Sequence, residues 1–133
     1  MTYFLDANTI IFYLRGQNPT LRAKIESVSI KDINIPSVVK GELITGAYKK
    51  HDVKKELKLV TGFVDGFEIV PFDSDASMIY GKIRSELEAK GKGMGPNDTL
   101  IAATVMSRGG ILVTNNINEF ERVEGLRIED WST

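Results

Sequence analysis

The chain has 133 residues, of which 17 are Lys or Arg and 18 are Asp or Glu, and its net charge is −1. This length and a hydrophobic content of 42% indicate a single globular domain, spanning residues 1–133. The absence of cysteine excludes disulfide scaffolds, zinc ribbons, iron–sulfur sites and thiol nucleophiles, and the single histidine, His51, excludes paired-histidine chemistry.

The start of the chain and its apolar runs carry no targeting signal. Residues 1–6 are too polar and too weakly basic for a signal or transit peptide. The longest uncharged apolar stretch, residues 100–106, is far shorter than the roughly 18 residues that a membrane span needs. We therefore expect a soluble, cytoplasmic protein without a membrane partner.

Short apolar runs alternate with longer helical patterns along the chain. In chain order we predict a strand at 3–5, helices at 8–14 and 20–27, a strand at 33–35, helices at 37–48 and 53–64, a strand at 67–70, helices at 75–90 and 97–108, and strands at 110–114 and 126–129. Helix 97–108 is apolar nearly all round, so it should be the most deeply buried. Strands that alternate with helices predict an α/β fold, a three-layer α/β/α sandwich around a central parallel sheet. The Gly-rich segment 90–96 is predicted to be flexible.

Ligands bind beyond the carboxyl ends of the strands in such sheets, so polar residues at those positions are candidates for a site. Asp6 directly follows the first strand, where it can face a metal or cap the next helix, and the sequence favours neither role. Glu42 lies inside helix 37–48, for which Ser37 is the expected N-cap. The residue three positions after Ser37 is Lys40, so a capping box does not explain Glu42. Glu42 borders an apolar face, and a carboxylate there needs a partner or a cation.

Two further places combine carboxylates with amides. Asp98 lies in the first turn of the buried helix, where the helix dipole stabilises an acid by about 0.3–1 kcal/mol, and this structural role is favoured for Asp98 alone. Asn116 and Glu119 have the spacing of a capping box, which again favours a structural role. Asn116 can alternatively orient a water or a carboxylate, and Glu119 can reach a metal. The glycines at 91, 93 and 95 match no phosphate-binding motif, so no nucleotide site is predicted.

The joint placement of Asp6, Glu42 and Asp98 is more informative than each residue alone. Carboxylates that converge must take up protons or bind a cation. Ligand sets made only of oxygen favour Mg²⁺ or Mn²⁺ over zinc. Such a site can activate water for attack on a phosphodiester without histidine or cysteine.

Five segments in this order, 5–9, 37–43, 95–103, 113–120 and 123–131, resemble the PIN-domain ribonucleases, and among them the VapC toxins of bacterial VapBC toxin–antitoxin pairs. The resemblance covers essentially the whole chain. It implies an endoribonuclease that depends on Mg²⁺, or on Mn²⁺ as a substitute, with Asp6 and Asp98 as metal ligands and Glu42 as a ligand or as the group that orients the attacking water. The family often has a fourth acid where this chain has Asn116, and Glu119 is the candidate to replace it.

The resemblance also implies partners. The substrate is RNA, with tRNA as one possible target. A VapB-type antitoxin wraps the protein and plugs the acidic site, the toxin forms a homodimer, and DNA is contacted only through the antitoxin.

Two other functions compete with this hypothesis. Residues 5–9 also resemble the Asp-x-Asp start of haloacid-dehalogenase-like phosphotransferases, but Asn8 replaces the second Asp, no later Asp-Asp pair is present and the chain is short for that class. A PIN-fold binding module without catalysis is the non-enzyme alternative. The presence of Asp6, Glu42 and Asp98 together argues against it.

Basic residues form two candidate RNA-contacting patches. Five lysines lie within ten residues, Lys49, Lys50, Lys54, Lys55 and Lys58, although a solvated helix face is the commoner meaning of such a run by roughly two to one. The second patch comprises Arg84, Lys90 and Lys92 near the Gly-rich segment.

Overall fold

A five-stranded sheet lies at the centre of the computed structural model, which describes all 133 residues. Its strands are β1 (Tyr3–Leu5), β2 (Ile33–Pro36), β3 (Glu68–Val70), β4 (Ile111–Val113) and β5 (Arg127–Glu129). Every neighbouring pair is parallel, and the order across the sheet is β3-β2-β1-β4-β5. The predicted parallel sheet is confirmed, with strand ends within one or two residues of those expected.

Seven helices cover the sheet, namely α1 (Ala7–Arg15), α2 (Pro19–Ser27), α3 (Ser37–Tyr48), α4 (Val53–Val64), α5 (Ser74–Ala89), α6 (Pro96–Ser107) and α7 (Ile117–Phe120). A single 3₁₀ turn spans Ile30–Asp32. The 3₁₀ turn and α7 were not expected from the hydrophobic pattern, because one turn is too short to show a period. Ser37 was expected to cap α3, and this was wrong: Pro36 stands at the N-cap, and Ser37 is the first helical residue.

Helix α6 is the most deeply buried helix, as its composition predicts. Six of its twelve residues are buried, including Ile101, Ala102 and Ala103, each at most 1% exposed. All three residues of β4 are buried as well. No helix has the length and apolar character that a membrane span requires.

The strand order creates a crevice beside β1. The chain moves from β1 towards β2 and β3 on one side, and returns to β4 and β5 on the other. Right-handed crossovers therefore place the connecting helices on opposite faces, which gives the three-layer sandwich. The crevice opens at the carboxyl ends of β1 and β4, the position where α/β sheets bind ligands.

Candidate active site

Asp6 is buried at the carboxyl end of β1, with 6% of its surface exposed. One carboxylate oxygen accepts the backbone N–H of Thr9 at 2.9 Å and caps α1, while the other accepts the Thr114 hydroxyl at the end of β4. Burial raises the pKa of Asp6, although both hydrogen bonds favour the charged form and oppose that rise. Asp6 is therefore a helix cap whose charge also faces the crevice.

The opposite pKa shifts of Asp98 and Glu119 indicate that these two carboxylates share a proton at the first turn of α6. Asp98 is half-buried, and burial together with the hydrogen bond to Glu119 raises the pKa of Asp98 to about 7. The negative charges of Glu42 and Asp6 add to this rise, so the other three carboxylates all lie close enough to influence the pKa of Asp98. Burial also works to raise the pKa of Glu119, but the bond from Asp98 and bonds from Asn116 and the Gly95 N–H outweigh it and lower that pKa. The proton is thus held on Asp98 and donated to Glu119.

Glu42 projects from α3 towards the start of α6. Its Oε2 accepts a hydrogen bond from the Asn97 amide nitrogen at 3.4 Å. Burial raises the pKa of Glu42, and the charge of Asp6 adds to the rise, while the bond from Asn97 opposes it. The side chain is half-buried, as expected for a carboxylate that borders an apolar helix face.

The interpretation of Asn116 and Glu119 as a capping box is wrong. Asn116 stands at the N-cap of α7, but its side chain makes no capping bond. Its amide donates instead to Glu119 Oε2 at 3.0 Å, and Glu119 Oε1 accepts the Gly95 N–H at 3.3 Å. The backbone N–H of Asn116, which a capping box would bond to Glu119, donates instead to the Thr114 hydroxyl at 3.0 Å.

Sequence reasoning missed four residues around the carboxylates. Thr114 binds Asp6, and Asn97 binds Glu42. Asp130, which follows β5, lies close enough for its charge to raise the pKa of Asp6. A Cβ on Gly95 would lie 3.8 Å from Asp98 Oδ2, within the site. Thr114 and Asp130 follow strands at the same edge as Asp6, so the rule that predicted Asp6 would also have found them.

The donor set fits a hard divalent cation. Side-chain ligands in the crevice are oxygens, and none of the five ion pairs of the protein involves Asp6, Glu42, Asp98 or Glu119. The protein offers no ready cage, because no group of three acidic side chains is arranged as a complete ligand set. A proton shared between Asp98 and Glu119 indicates excess negative charge, which a bound cation would offset in place of that proton. Mg²⁺ suits such an open site, since it usually keeps several waters and binds through one or two carboxylates.

Comparisons with known proteins agree with this architecture. The family profile described as PIN domain matches residues 3–126. The tRNA(fMet)-specific endonuclease VapC of Salmonella typhimurium is 39% identical over 131 residues, covering 98% of each chain. The crystal structure of DNA-bound VapBC from Salmonella typhimurium superposes with a TM-score of 0.92 at 39% identity, again over 98% of each chain. That of VapBC2 from Rickettsia felis gives 0.91 at 33% identity, over 98% of this chain and 99% of that one.

The chain belongs to the PIN-domain family, the class of protein that its parallel sheet and acidic crevice define. Within that family it is of the VapC ribonuclease type, since relatives that match it over nearly their whole length carry that name.

Proposed function

We propose that the protein is a Mg²⁺-dependent endoribonuclease, the toxin of a VapBC-type pair, that hydrolyses RNA phosphodiester bonds. The proposal is supported by the mutual influence of four carboxylates, since Glu119, Glu42 and Asp6 all help to raise the pKa of Asp98 to about 7. Asp6 and Asp98 would hold the metal, with Glu42 as a third ligand or as the group that orients water. When bound, Mg²⁺ or Mn²⁺ would lower the pKa of a water and offset charge on the phosphate.

The surrounding side chains orient the acids for this task. The Thr114 hydroxyl donates to Oδ2 of Asp6, and this bond holds the carboxylate in one orientation at the end of β1. Asn97 holds Glu42, whose raised pKa makes it a better proton acceptor than an ordinary glutamate. Glu119 accepts a hydrogen bond from protonated Asp98, and this bond would be lost when Asp98 gives up its proton to solvent or in exchange for a cation. Asn116 keeps Glu119 in place through its amide.

The substrate class and partners follow from the relatives. Two relatives 39% identical to the chain are named tRNA(fMet)-specific endonucleases, and we propose tRNA as the substrate class. Solved neighbours are VapBC complexes, two of them bound to DNA, which supports a VapB-type antitoxin as partner, with DNA reached only through that antitoxin. We also propose a homodimer and a cytoplasmic location, where an RNA substrate would be met.

An apolar groove beside the acidic crevice fits this antitoxin. It lies between α1, α3 and α4, and Glu42 is one of its lining residues. Apolar side chains form most of its walls, among them Ile11, Leu14 and Leu59. Leu59 is 47% exposed, so the groove presents a large apolar side chain to a binding partner. An amphipathic helix is the segment that such a groove accepts.

Cleavage mapping of total RNA tests the proposal. The purified protein, incubated with and without Mg²⁺, should cut a restricted set of RNAs only when the metal is present. Asp98→Asn should abolish cutting, whereas the matched control Asp75→Asn, another first-turn acid but an exposed one on α5, should not. Cleavage that persists in excess chelator, or an active Asp98→Asn protein, would contradict the proposal.

The two alternative functions make different predictions. A phosphotransferase would require Asp6 to attack a phosphate and form a covalent phosphoenzyme, whereas hydrolysis by a metal-activated water forms none. No stable phosphoenzyme is therefore expected. A catalytically silent binding module would show no Mn²⁺ affinity that depends on the acids, and metal titration separates it from the nuclease.

A further inference from the structure

Two hydrogen bonds attach the loop of residues 91–95, here called the glycine loop, to the end of α7. The Arg122 guanidinium donates to the carbonyl oxygen of Gly93 at 3.1 Å, and Glu119 accepts the Gly95 N–H at 3.3 Å. Glu119 and Arg122 are three residues apart, so they contact the loop at two neighbouring points. The other hydrogen bonds of the loop run to its flanking helices α5 and α6.

The glycine loop leads directly into the part of α6 that carries the site. The carbonyl of Gly95 accepts both the N–H and the hydroxyl of Thr99, at 3.1 and 3.0 Å, so the loop forms the start of this helix. Asn97 and Asp98 follow within three residues. Three of the five loop residues are glycine, which loses more conformational freedom on ordering than any other residue. A hydrogen bond that anchors the loop therefore helps to fix the position of the first turn of α6.

We propose that Arg122 is a positioning residue, which holds the glycine loop against α7 so that Asp98 and Glu119 stay within hydrogen-bonding distance of each other. This inference rests on the proposed nuclease function, because it assigns Arg122 a part in building that site. Arg122 itself makes no hydrogen bond or ion pair with any of the four carboxylates. Its hydrogen bond is to the loop backbone, and its positive charge also helps to lower the pKa of Glu119.

A direct contact with RNA phosphate is the competing role for Arg122, since the side chain is exposed and lines a surface recess with Lys92. Lys92 is the matched control, because it belongs to the same recess and carries the same charge but has no side-chain bond to α7. A phosphate contact adds sequence-independent, salt-dependent affinity, so its loss raises KM and lowers the salt slope by about 1. Loss of a positioning residue instead lowers kcat.

The test compares Arg122→Ala, Arg122→Lys and Lys92→Ala with the wild-type chain by amide exchange, Mn²⁺ titration and kinetics. Arg122→Ala should speed exchange of the Gly95 amide by about tenfold, the scale of one lost hydrogen bond, and lower Mn²⁺ affinity and kcat to a similar extent. Arg122→Lys retains a donor and should recover part of each loss. Lys92→Ala should leave exchange and Mn²⁺ affinity unchanged.

Unchanged Gly95 exchange in Arg122→Ala would overturn the inference, as would a rise in KM with a reduced salt slope and no loss of kcat. Should Arg122→Ala fail to fold, Arg122→Met keeps the aliphatic stem without the donor, and wild-type exchange in that variant overturns the inference equally. Amide exchange needs neither RNA nor metal. A wild-type protein that cuts no RNA would therefore refute the proposed function while the exchange data still decide whether Arg122 anchors the loop.

Discussion

Asp98 and Glu119 behave as one acid–base unit rather than as two separate carboxylates. The sequence favoured a dipole role for Asp98 and a capping role for Glu119, and each explanation was adequate as long as the residues were considered apart. The pair exists because the glycine loop brings the start of α6 against α7, and the two residues are 21 positions apart in the chain. Local spacing cannot reveal such a contact.

The shared proton predicts how Asp98→Asn changes stability with pH. The pKa of Asp98 is raised from 3.8 to about 7, so between these values the folded protein binds more protons than the unfolded chain. The free energy of unfolding therefore falls as pH rises through this window, and asparagine escapes that loss. Because Asp98 is only half-buried, solvent screening reduces the effect, and we expect Asp98→Asn to be more stable by about 1 kcal/mol at pH 8.

Urea unfolding at pH 4 and pH 8 in the absence of divalent cations measures this difference. It should be much smaller at pH 4, near the lower end of the window, where Asp98 is protonated in the folded state and partly protonated in the unfolded chain. Asp75→Asn, the exposed control, should show no such dependence. An Asp98→Asn protein that is less stable than wild type at pH 8 would contradict the shared-proton arrangement.

Glu119→Gln should reduce RNA cleavage at least about tenfold, the scale of losing one charge-assisted contact. The glutamine side chain can still bond to Gly95, but it removes the negative charge that favours the proton on Asp98. Glu121→Gln, an exposed neighbour on the same segment, is the control and should cut RNA normally. Wild-type activity in Glu119→Gln would show that Glu119 has only a structural role.

Among the secondary-structure elements, the sequence predicts best those that are long enough to show a repeating pattern of apolar residues. The helices of nine or more residues and all five strands follow from the spacing of apolar residues, and the burial of α6 follows from its apolar circumference. The two single turns, the 3₁₀ turn and α7, do not follow from this spacing. The convergence at the carboxyl edge was predictable for Asp6, because strand ends in a parallel sheet share one edge. The bond between Asn97 and Glu42 joins residues 55 apart and depends on how α3 packs on α6.

Two substitutions of Asp6 separate its role as the cap of α1 from its proposed role in catalysis. Asp6→Asn retains a capping side chain, whereas Asp6→Ala loses the bond to Thr9 and should cost about 1 kcal/mol more in unfolding free energy. Both variants lack the carboxylate, so both should fail to cut RNA. Thermal unfolding and a cleavage assay on the same pair distinguish capping from chemistry. Equal stability of the two variants would show that the cap is dispensable, and cleavage by either would remove Asp6 from the site.

For the whole molecule, the fold brings together acids that lie far apart in the sequence. Strand order places β1 between β2 and β4, and Asp6, Glu42 and Glu119 all influence the pKa of Asp98, while the apolar groove between α1, α3 and α4 has Glu42 in its lining. An antitoxin segment in that groove would be close enough to obstruct the acids. Sequence patterns do not define the groove, because three helices contribute its walls.

Mn²⁺ titration of the purified protein by calorimetry tests the account most directly, since everything rests on the crevice acids binding a divalent cation. The wild-type chain and Asp75→Asn should bind Mn²⁺ with equal affinity, and binding should release protons near pH 7 because the cation displaces the proton shared by Asp98 and Glu119. Asp98→Asn should bind much more weakly and without that proton release. Absence of binding to the wild-type protein, or undiminished binding to Asp98→Asn, would contradict the account.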